Sequence, residues 1–380
     1  MKWEIAKLGK IAIIRTGKLD SNAAVIGGRY PFFTCDPNTL SIDVWAYDTE
    51  AVLLAGNNAS GNYTAKYYKG KFNAYQRTYI IESADEEKLN IRYFCYALNQ
   101  QLRLLKTMSS GSTTKFLTVR MLDNLDIPLP SINIQTEIVN ILSAYDDLIE
   151  NNQKQIKLLE EAAQRLYKEW FVDLHFPGHE NTKIVDGVPE GWQWCKVRDV
   201  ADINSSTLPK NYKEDFIDYV DLGSVRCGHI ETRTRYNLNE APGRAKRCAK
   251  DGDIIWGMVR PNLKAYALVT NPKETDVFST GFAVLSAKKV PYSYLYCAVT
   301  QEEFVGYLVN ATNGAAYPAV KPVHFEVADI LKPDDKVLEQ FHSVADSIYR
   351  KKEALENQNH NLRESRDLIL PKLMSGEVEV

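Results

Sequence analysis

The chain repeats its own sequence pattern once, and this repeat constrains the fold more than any other feature. Trp3-Glu4-Ile5-Ala6-Lys7-Leu8 is echoed by Trp192-Gln193-Trp194-Cys195-Lys196-Val197, and residues 111–130 align with residues 314–333. Each copy ends in an apolar run and a proline, and a long helical pattern follows each proline. A chain of 380 residues is also too long for one ordinary domain. The predicted order is therefore globular unit, helix, globular unit, helix.

Two heptad patterns follow the two globular units, the second with weaker positions at Lys352 and Arg366. At 1.5 Å per residue each helix would be roughly 55 Å long, and a lone helix of that length would leave its apolar stripe in water. We therefore expect the two helices to pack as an antiparallel coiled coil. The predicted seam residues are Ile138, Leu142, Tyr145, Ile149, Asn152, Ile156, Leu159, Leu166 and Trp170 on the first helix, and Phe341, Ile348, Leu355, Asn359, Leu362 and Ile369 on the second.

Two asparagines interrupt the apolar seam. An antiparallel pairing that places Ile156 opposite Leu355 also places Asn152 opposite Asn359. A buried asparagine pair would fix the helix register at some cost in stability. Two solvated asparagines at imperfect seam positions are the alternative, and the heptads alone do not decide between parallel and antiparallel helices.

The globular units have a mixed pattern. Short apolar runs at residues 51–55 and 253–256 predict buried strands, and residues 87–106 and 292–309 predict helices. The fold class is therefore mixed α/β, with two α+β units related by a pseudo-two-fold repeat. The predicted domains are residues 1–130 and 192–333 for the globular units, 131–175 and 334–380 for the long helices, and 176–191 for a turn-rich linker.

Composition and charge exclude several classes of protein. No apolar run approaches the roughly 18 residues of a membrane span, and the first residues lack the apolar stretch of a secretory signal. Six scattered cysteines without a Cys-x-x-Cys pair argue against disulfides or zinc and favour a reducing cytoplasm. Residues 1–130 hold 16 Lys/Arg and 12 Asp/Glu, so a locally basic face is permitted although the whole chain has a net charge of −3.

The sequence also lacks the motifs of several enzymes. An adenine methyltransferase would show Asn/Asp-Pro-Pro-Tyr/Phe, but the nearest strings are Asp36-Pro37-Asn38 and Asn271-Pro272-Lys273. The glycine-rich loop at residues 56–63 lacks the Gly-Lys-Ser/Thr of a phosphate loop. The six histidines show neither metal-ligand nor triad spacing. We therefore expect no catalytic site and no metal site in this chain.

Three segments resemble the specificity subunits of type I restriction-modification enzymes. Residues 135–178 are similar to the central repeat of that family, Val188-Pro189-Glu190-Gly191-Trp192 to the start of its second recognition domain, and residues 362–377 to its C-terminal repeat. The resemblance implies that each globular unit is a target recognition domain for one half of a split double-stranded DNA sequence. It implies that the helix pair sets the spacing between the halves and docks two modification (methyltransferase) subunits.

The resemblance further implies which chemistry lies on partner proteins. Restriction (motor-nuclease) subunits would join the complex to cut unmodified DNA, and the modification subunits would methylate adenine. S-adenosylmethionine, ATP and magnesium are expected on those partner subunits, and no cofactor is expected on this chain.

The candidate DNA contacts lie on polar loops after a predicted strand, on segments before the last predicted strand of each unit, and in a basic run of the second unit. Asparagine can pair with adenine, arginine and lysine with guanine or phosphate, and hydroxyl groups with phosphate. An ordinary solvated loop is the alternative for each, and for Tyr63 a packing role. The candidates are Asn57, Asn58, Ser60, Tyr63, Lys66, Ser110, Ser112, Thr113 and Lys115 in the first unit, and Arg233, Arg235, Arg244, Arg247, Arg260, Asn262, Lys264, Asn313 and Tyr317 in the second.

Two other functions remain compatible with the sequence. The chain could be a coiled-coil scaffold with two protein-binding modules, or a specificity module of another phage-defence assembly. Two copies of one globular unit with divergent loops favour DNA reading, because two different half-sites require two different readers.

Overall fold

The computed structural model describes residues 3–58, 63–108, 115–312 and 318–380. The chain divides into two compact units. Unit 1 comprises residues 1–151 and 358–380, and unit 2 comprises residues 152–357. The boundaries fall inside the two long helices, so each long helix contributes to both units.

Unit 1 contains ten strands and three short or medium helices, in addition to its parts of the long helices, among the residues that the structure describes. Its strands are β1 (Glu4–Lys7), β2 (Ala12–Thr16), β3 (Tyr30–Phe33), β4 (Leu40–Ile42), β5 (Tyr47–Ala55), β6 (Asn57–Asn58), β7 (Ala65–Ala74), β8 (Thr78–Ser83), β9 (Lys115–Phe116) and β10 (Asp126–Leu129). Its helices are α1 (Leu8–Ile11), α2 (Ile91–Met108) and α3 (Val119–Asp123), followed by the first long helix, α4 (Ile132–Tyr167).

A six-stranded sheet forms the centre of unit 1, in the order β2-β8-β5-β7-β3-β4. Its pairs are antiparallel except for the parallel pair β3–β7. Alternate side chains of β5 enter two different cores, as expected of a strand that is covered on both faces. Val52 and Leu54 pack in the core that includes α2, whereas Leu53 packs with Phe33 and Phe72. This explains why residues 51–55 form an unbroken apolar run.

Unit 2 begins within α4 and contains the remaining elements. Its strands are β11 (Ile184–Val185), β12 (Val188–Pro189), β13 (Gln193–Lys196), β14 (Ala201–Ile203), β15 (Phe216–Val220), β16 (Val225–Arg226), β17 (His229–Ile230), β18 (Thr234–Asn237), β19 (Ala245–Arg247), β20 (Ile254–Gly257), β21 (Tyr266–Leu268), β22 (Asp276–Ser279), β23 (Phe282–Ala287) and β24 (Asp329–Lys332). Its helices are α5 (Val197–Val200), α6 (Tyr292–Thr300), α7 (Glu302–Asn310) and α8 (Pro322–Glu326), followed by the second long helix, α9 (Asp335–Ser375).

Two four-stranded sheets organise unit 2, in the orders β14-β23-β20-β21 and β18-β15-β22-β19. The central strand β20 is buried along its whole length, and Trp256 is fully buried on it. The indole nitrogen of Trp256 donates a hydrogen bond to the carbonyl of Val299 at 3.0 Å, so the polar atom of this large side chain is satisfied inside the core. The prediction of a mixed α/β fold is confirmed.

The sequence repeat appears as a repeated strand pair. In unit 1, β1 pairs antiparallel with β10 and places Lys7 opposite Asp126. In unit 2, β13 pairs antiparallel with β24 and places Lys196 opposite Asp329. The two lysine–aspartate ion pairs measure 2.8 and 2.7 Å. The start of each globular unit is therefore fastened to the strand that precedes its long helix.

A tyrosine on a helix of the globular unit, α2 in unit 1 and α6 in unit 2, makes the same contact in both units. Tyr93 on α2 donates a hydrogen bond to the carbonyl of Pro128 at 2.9 Å, and Tyr294 on α6 donates to the carbonyl of Leu331. Both acceptors lie on the last strand of their unit. The two tyrosines therefore occupy equivalent structural positions in the two units.

The long helices bury their predicted seams. Each seam residue named above is buried or half-buried, and Asn152 and Asn359 are almost fully so. Within unit 2, the Trp170 ring lies 6.0 Å from that of Phe341, and Lys352 lies 2.8 Å from Glu160. These contacts run in opposite sequence directions along the two helices. The pairing of Asn152 with Asn359 stays a prediction.

The two weak seam positions both have acidic partners. Lys352 pairs with Glu160 in unit 2, and in unit 1 Arg366 pairs with Asp146 at 2.6 Å. In both pairs the cation lies on α9 and the acid on α4. A charged residue at a buried seam position is tolerated when its charge is neutralised there. These positions are therefore ion-pair sites in the helix packing, which the heptad pattern did not predict.

Three predicted boundaries differ from the structure. The first globular helix begins at residue 91, after Asn90, whose side chain accepts hydrogen bonds from the backbone of Arg92 and Tyr93 and so caps the helix. The second is broken at Gln301, which is extended, into α6 and α7. The segment predicted as a linker contains β11 and β12, and its Phe176 is buried against Trp192 at a ring distance of 4.7 Å.

Candidate nucleic-acid interface

Strand pairing in unit 1 brings two candidate loops together. The short strand β6 pairs antiparallel with β9, which places Asn57 opposite Phe116 and Asn58 opposite Lys115. The backbone amide of Leu117 also donates to the carbonyl of Gly56 at 2.9 Å. The polar loop that begins at residue 56 and the hydroxyl-rich segment that ends at residue 115 are far apart in sequence, and they meet along this edge.

Unit 2 joins its two candidate loops at the equivalent place. Val259 forms an antiparallel bridge with Ala319. The backbone amide of Arg260 donates to the carbonyl of Pro318 at 2.8 Å, and that of Val320 donates to the carbonyl of Met258 at 2.8 Å. The loop after β20 therefore meets the segment before α8, as the loop after β5 meets the segment before α3. The repeat thus extends to the candidate interface.

The predicted residues of unit 1 are not all available to DNA. Asn57, Asn58 and Lys115 are half-buried on the β6–β9 ladder. Tyr63 is buried in the core, which is the packing role that was its alternative. Lys66 lies on β7. Partial burial lowers its pKa, although the negative charge of Asp36 acts in the opposite direction. The remaining candidates fall outside the described residues, namely Ser60, Ser110, Ser112 and Thr113.

The loop of unit 2 separates its candidates by exposure. Arg260 and Asn262 are exposed, whereas Lys264 is half-buried and its ammonium group lies 2.5 Å from the carboxylate of Glu302. Leu263 is 58% exposed, although it is apolar and was not among the candidates. Asn313 and Tyr317 fall outside the described residues. A loop at the surface that exposes a leucine beside an asparagine offers both an apolar and a hydrogen-bonding contact.

Two of the candidate arginines neutralise buried acids. Arg235 forms two hydrogen bonds with Asp218, at 2.9 and 3.0 Å, and these hold the pKa of the Asp218 carboxyl below its usual value although burial opposes them. Arg233 contacts Asp276 at 3.2 Å. Asp218 and Asp276 lie opposite each other on β15 and β22 and are nearly inaccessible. These arginines therefore stabilise the sheet, a role that the charge run in the sequence did not predict.

Arg244 and Arg247, the other two candidate arginines of the basic run, differ in exposure. Arg244 is exposed, so its guanidinium group is accessible to a phosphate. Arg247 lies on β19 and is half-buried, with its Nε atom inaccessible and without a hydrogen-bond partner among the described residues. Phosphate contact by the four arginines stays a prediction, and the structure favours Arg244 because it is exposed and, unlike Arg233 and Arg235, is not engaged with a buried aspartate.

A histidine to which the sequence gave no role fastens a hairpin of unit 2 to the long helices. His229 begins the second strand of the hairpin β16–β17, and its ring nitrogens lie 3.3 Å from Glu160 on α4 and 2.7 Å from Glu356 on α9. Lys352 completes the cluster by donating to the carbonyl of Gly228 at 2.9 Å. A Cβ atom on Gly228 would lie 3.0 Å from Glu160, and the φ angle of Gly228, +93°, favours glycine. The hairpin turn therefore fits closely between the helices.

This cluster makes the stability of unit 2 depend on pH. Hydrogen bonds to Glu160 and Glu356 raise the pKa of His229 from 6.5 to about 9, although burial and the charge of Lys352 oppose the shift. A raised pKa means that the stabilisation is fully present below pH 6.5 and is lost as the pH rises through about 9. Because the side chain is 37% exposed, we expect solvent screening to limit the loss to about 1 kcal/mol.

Urea unfolding of the chain at pH 6 and at pH 9.5 measures this loss. His229→Gln keeps a hydrogen-bonding side chain without the charge, and should reduce the difference between the two pH values by about 1 kcal/mol. His360→Gln is the matched control, because His360 is 71% exposed and contacts only Glu364 at 3.4 Å among the ion pairs of the described residues. An equal pH dependence in His229→Gln and in the unmodified chain would contradict the assignment.

Comparisons with known proteins agree on one family. The model of the type I restriction modification DNA specificity domain matches residues 1–161. The EcoDI specificity subunit of a type I restriction enzyme from Escherichia coli is 27% identical over 99% of this chain and 88% of its own length. The MjaIX specificity subunit from Methanocaldococcus jannaschii is 28% identical over 76% of this chain and 68% of its own.

The fold also matches a solved structure of this kind. The crystal structure of a type I restriction-modification S subunit from M. genitalium superposes with a TM-score of 0.64, over 98% of this chain and 96% of that one, at 15% identity. At this identity the likeness establishes the fold. Together with the domain match and the curated relatives, it places the chain in a class of DNA specificity proteins.

The chain is similar over nearly its whole length to a type I restriction enzyme specificity subunit, and residues 1–161 match the DNA specificity domain of such proteins. Both curated relatives are named as specificity subunits of type I restriction enzymes. Within the described ranges, no helix is both long and apolar enough to cross a bilayer.

Proposed function

We propose that the chain reads a bipartite sequence in double-stranded DNA, with residues 1–130 on one half-site and residues 192–333 on the other. The observation that carries this proposal is the repeated junction of two loops, at β6–β9 in unit 1 and at Val259–Ala319 in unit 2. Each junction combines sequence-distant loops that carry hydrogen-bonding side chains. Two equivalent surfaces with different side chains suit two different half-sites.

The long helices suit the role of a spacer. Helices of 36 and 41 residues, α4 and α9, with their seams buried, are expected to form an antiparallel coiled coil that behaves as a stiff element. Such an element would fix the number of unspecified base pairs between the half-sites. Half-sites roughly 34 Å apart, one helical turn, would face the same side of the duplex.

The same helices offer surfaces for partner subunits. Leu158 on α4 and Leu368 on α9 are exposed outside the seam, at 63% and 69%. Two modification subunits would dock on the helix pair and methylate adenine, and restriction subunits would complete the nuclease. S-adenosylmethionine, ATP and magnesium would bind to those partners.

Methylome sequencing of cells that express this chain together with its cognate modification subunit tests the proposal. We expect a split adenine-methylation motif that disappears when this chain is omitted. The affinity of this chain for DNA should fall with rising salt, because phosphate contacts release counterions. If the two proteins purify as a stable complex that methylates DNA but yields no split motif, the proposed reading function is wrong.

A further inference from the structure

One turn in the candidate loop of unit 2 is held in an unusual backbone conformation. Arg260 and Lys264 both have positive φ angles, +49° and +53°, and they flank the short 3-10 turn Pro261–Leu263. Residues other than glycine rarely adopt this conformation, and such residues concentrate at functional sites. Two of them around three residues mark this turn as strained.

Hydrogen bonds on both sides make the turn rigid. Within it, the amide of Leu263 donates to the carbonyl of Arg260 at 2.8 Å, and that of Lys264 to Pro261 at 3.0 Å. From outside, the amide of Cys227 donates to the carbonyl of Lys264 at 2.9 Å. The position of the turn is therefore fixed before any ligand binds, as reading a base edge requires.

The turn directs two neutral side chains outward. Pro261 is buried beneath the turn, whereas Asn262 and Leu263 are exposed. Lys264 is engaged with Glu302, so the charge of each offsets the other. The groups that remain accessible at the tip are the amide of Asn262 and the methyl groups of Leu263.

The surroundings of the turn suit DNA. Leu263 lies along a groove of about 740 Å³ that Arg226 and Arg260 also line, together with Leu222, Val225 and Val259. Arg226 is 67% exposed along its side chain and 3.7 Å from Glu231. A neutral tip beside a groove that two arginines line suits a duplex, in which base edges lie next to phosphate backbones.

We propose that this turn reads one A·T base pair in the major groove of the half-site bound by unit 2. The inference rests on the proposed function and names the residues that read. Asn262 would pair with adenine through its amide, donating to N7 and accepting from the N6 amino group, and Leu263 would contact the thymine methyl group. The adenine that is methylated leaves the base stack during the reaction, so the pair read by Asn262 is a different one.

The test compares methylation motifs of the complete complex of this chain with its modification subunit. Asn262→Ala is expected to reduce discrimination at one A·T position by about 5- to 150-fold, and Leu263→Ala at the same or an adjacent position. Asn262→Asp replaces the amide donor by an acceptor, and should shift the preference there from adenine toward cytosine. The other half-site stays unchanged. Asn211→Ala, an exposed asparagine of unit 2 outside the turn, is the control and should leave the motif intact.

The outcomes separate this inference from the proposed function. An unmodified chain that yields a split motif, with variants that keep it unaltered, overturns the inference and leaves the proposed function standing. An unmodified chain that yields no split motif overturns both. A change confined to the half-site of unit 1 also overturns the inference. Because Asn262 and Leu263 are exposed, the variants should fold, and urea unfolding of each variant checks this directly.

Discussion

Replacing Lys352 with methionine is expected to lower the free energy of unfolding of unit 2 by about 3 kcal/mol. Lys352 is 5% exposed and contacts Glu160 at 2.8 Å, Glu356 at 3.5 Å and the carbonyl of Gly228 at 2.9 Å. Methionine keeps the apolar stem but leaves Glu160 with His229 as its nearest counter-charge among the described residues. The expected value lies at the lower end of the range for buried pairs because the side chain of Glu160 is 27% exposed.

Urea unfolding at pH 7, followed by tryptophan fluorescence, measures this effect. Lys351→Met is the matched control, because Lys351 is adjacent on the same helix but exposed, and its loss should cost no more than about 0.5 kcal/mol. Burial raises the pKa of Glu160, but the hydrogen bond from His229 and the charge of Lys352 outweigh it and hold this pKa below its usual value. Adding Glu160→Gln to Lys352→Met should therefore recover part of the loss. Equal effects of the two lysine variants would contradict this account.

Lys352 also affects the groove beside the proposed reading turn, because it contacts the hairpin that lines this groove. It fixes the turn of the hairpin β16–β17 through Gly228, and Val225 and Arg226 of the same hairpin line the groove beside the proposed reading turn. Loss of the lysine should therefore loosen one wall of that groove. The helix pair and the groove beside the proposed reading turn are thus coupled through the ion-pair cluster of Lys352, Glu160, Glu356 and His229.

The buried face of each long helix was the part of the fold that the sequence predicted best. Seam positions such as Ile138, Leu142 and Phe341 are fully buried because a heptad pattern directly reports which face of a helix avoids water. The partners of Lys352 and Arg366 could not be predicted in this way. Their partners on the other helix, Glu160 and Asp146, lie nearly 200 residues or more away in sequence, and a pattern of apolar spacing carries no information about a distant charge.

The candidate interface was only partly predictable. The sequence identified two polar loops at matching places in each half. Within each unit, strand pairing brings its two loops together. It missed His229, because a lone histidine without metal or triad spacing gives no signal until its two glutamates are located. It missed Leu263 because an apolar residue in a loop is expected to pack, whereas Leu263 is 58% exposed in a turn flanked by two residues with positive φ angles. It also assigned Arg233 and Arg235 to DNA, whereas both are engaged with buried aspartates.

Exchanging residues 190–333 for the corresponding domain of another type I specificity subunit tests the central claim most directly. Methylome sequencing of cells that carry the hybrid chain and its modification subunit then gives both half-sites at once. If each unit reads one half-site, the half assigned to unit 2 changes completely while the other half and the spacer length stay the same. A hybrid that changes both halves, or that alters neither while still directing methylation, would contradict the account of two independent readers held by one helix pair.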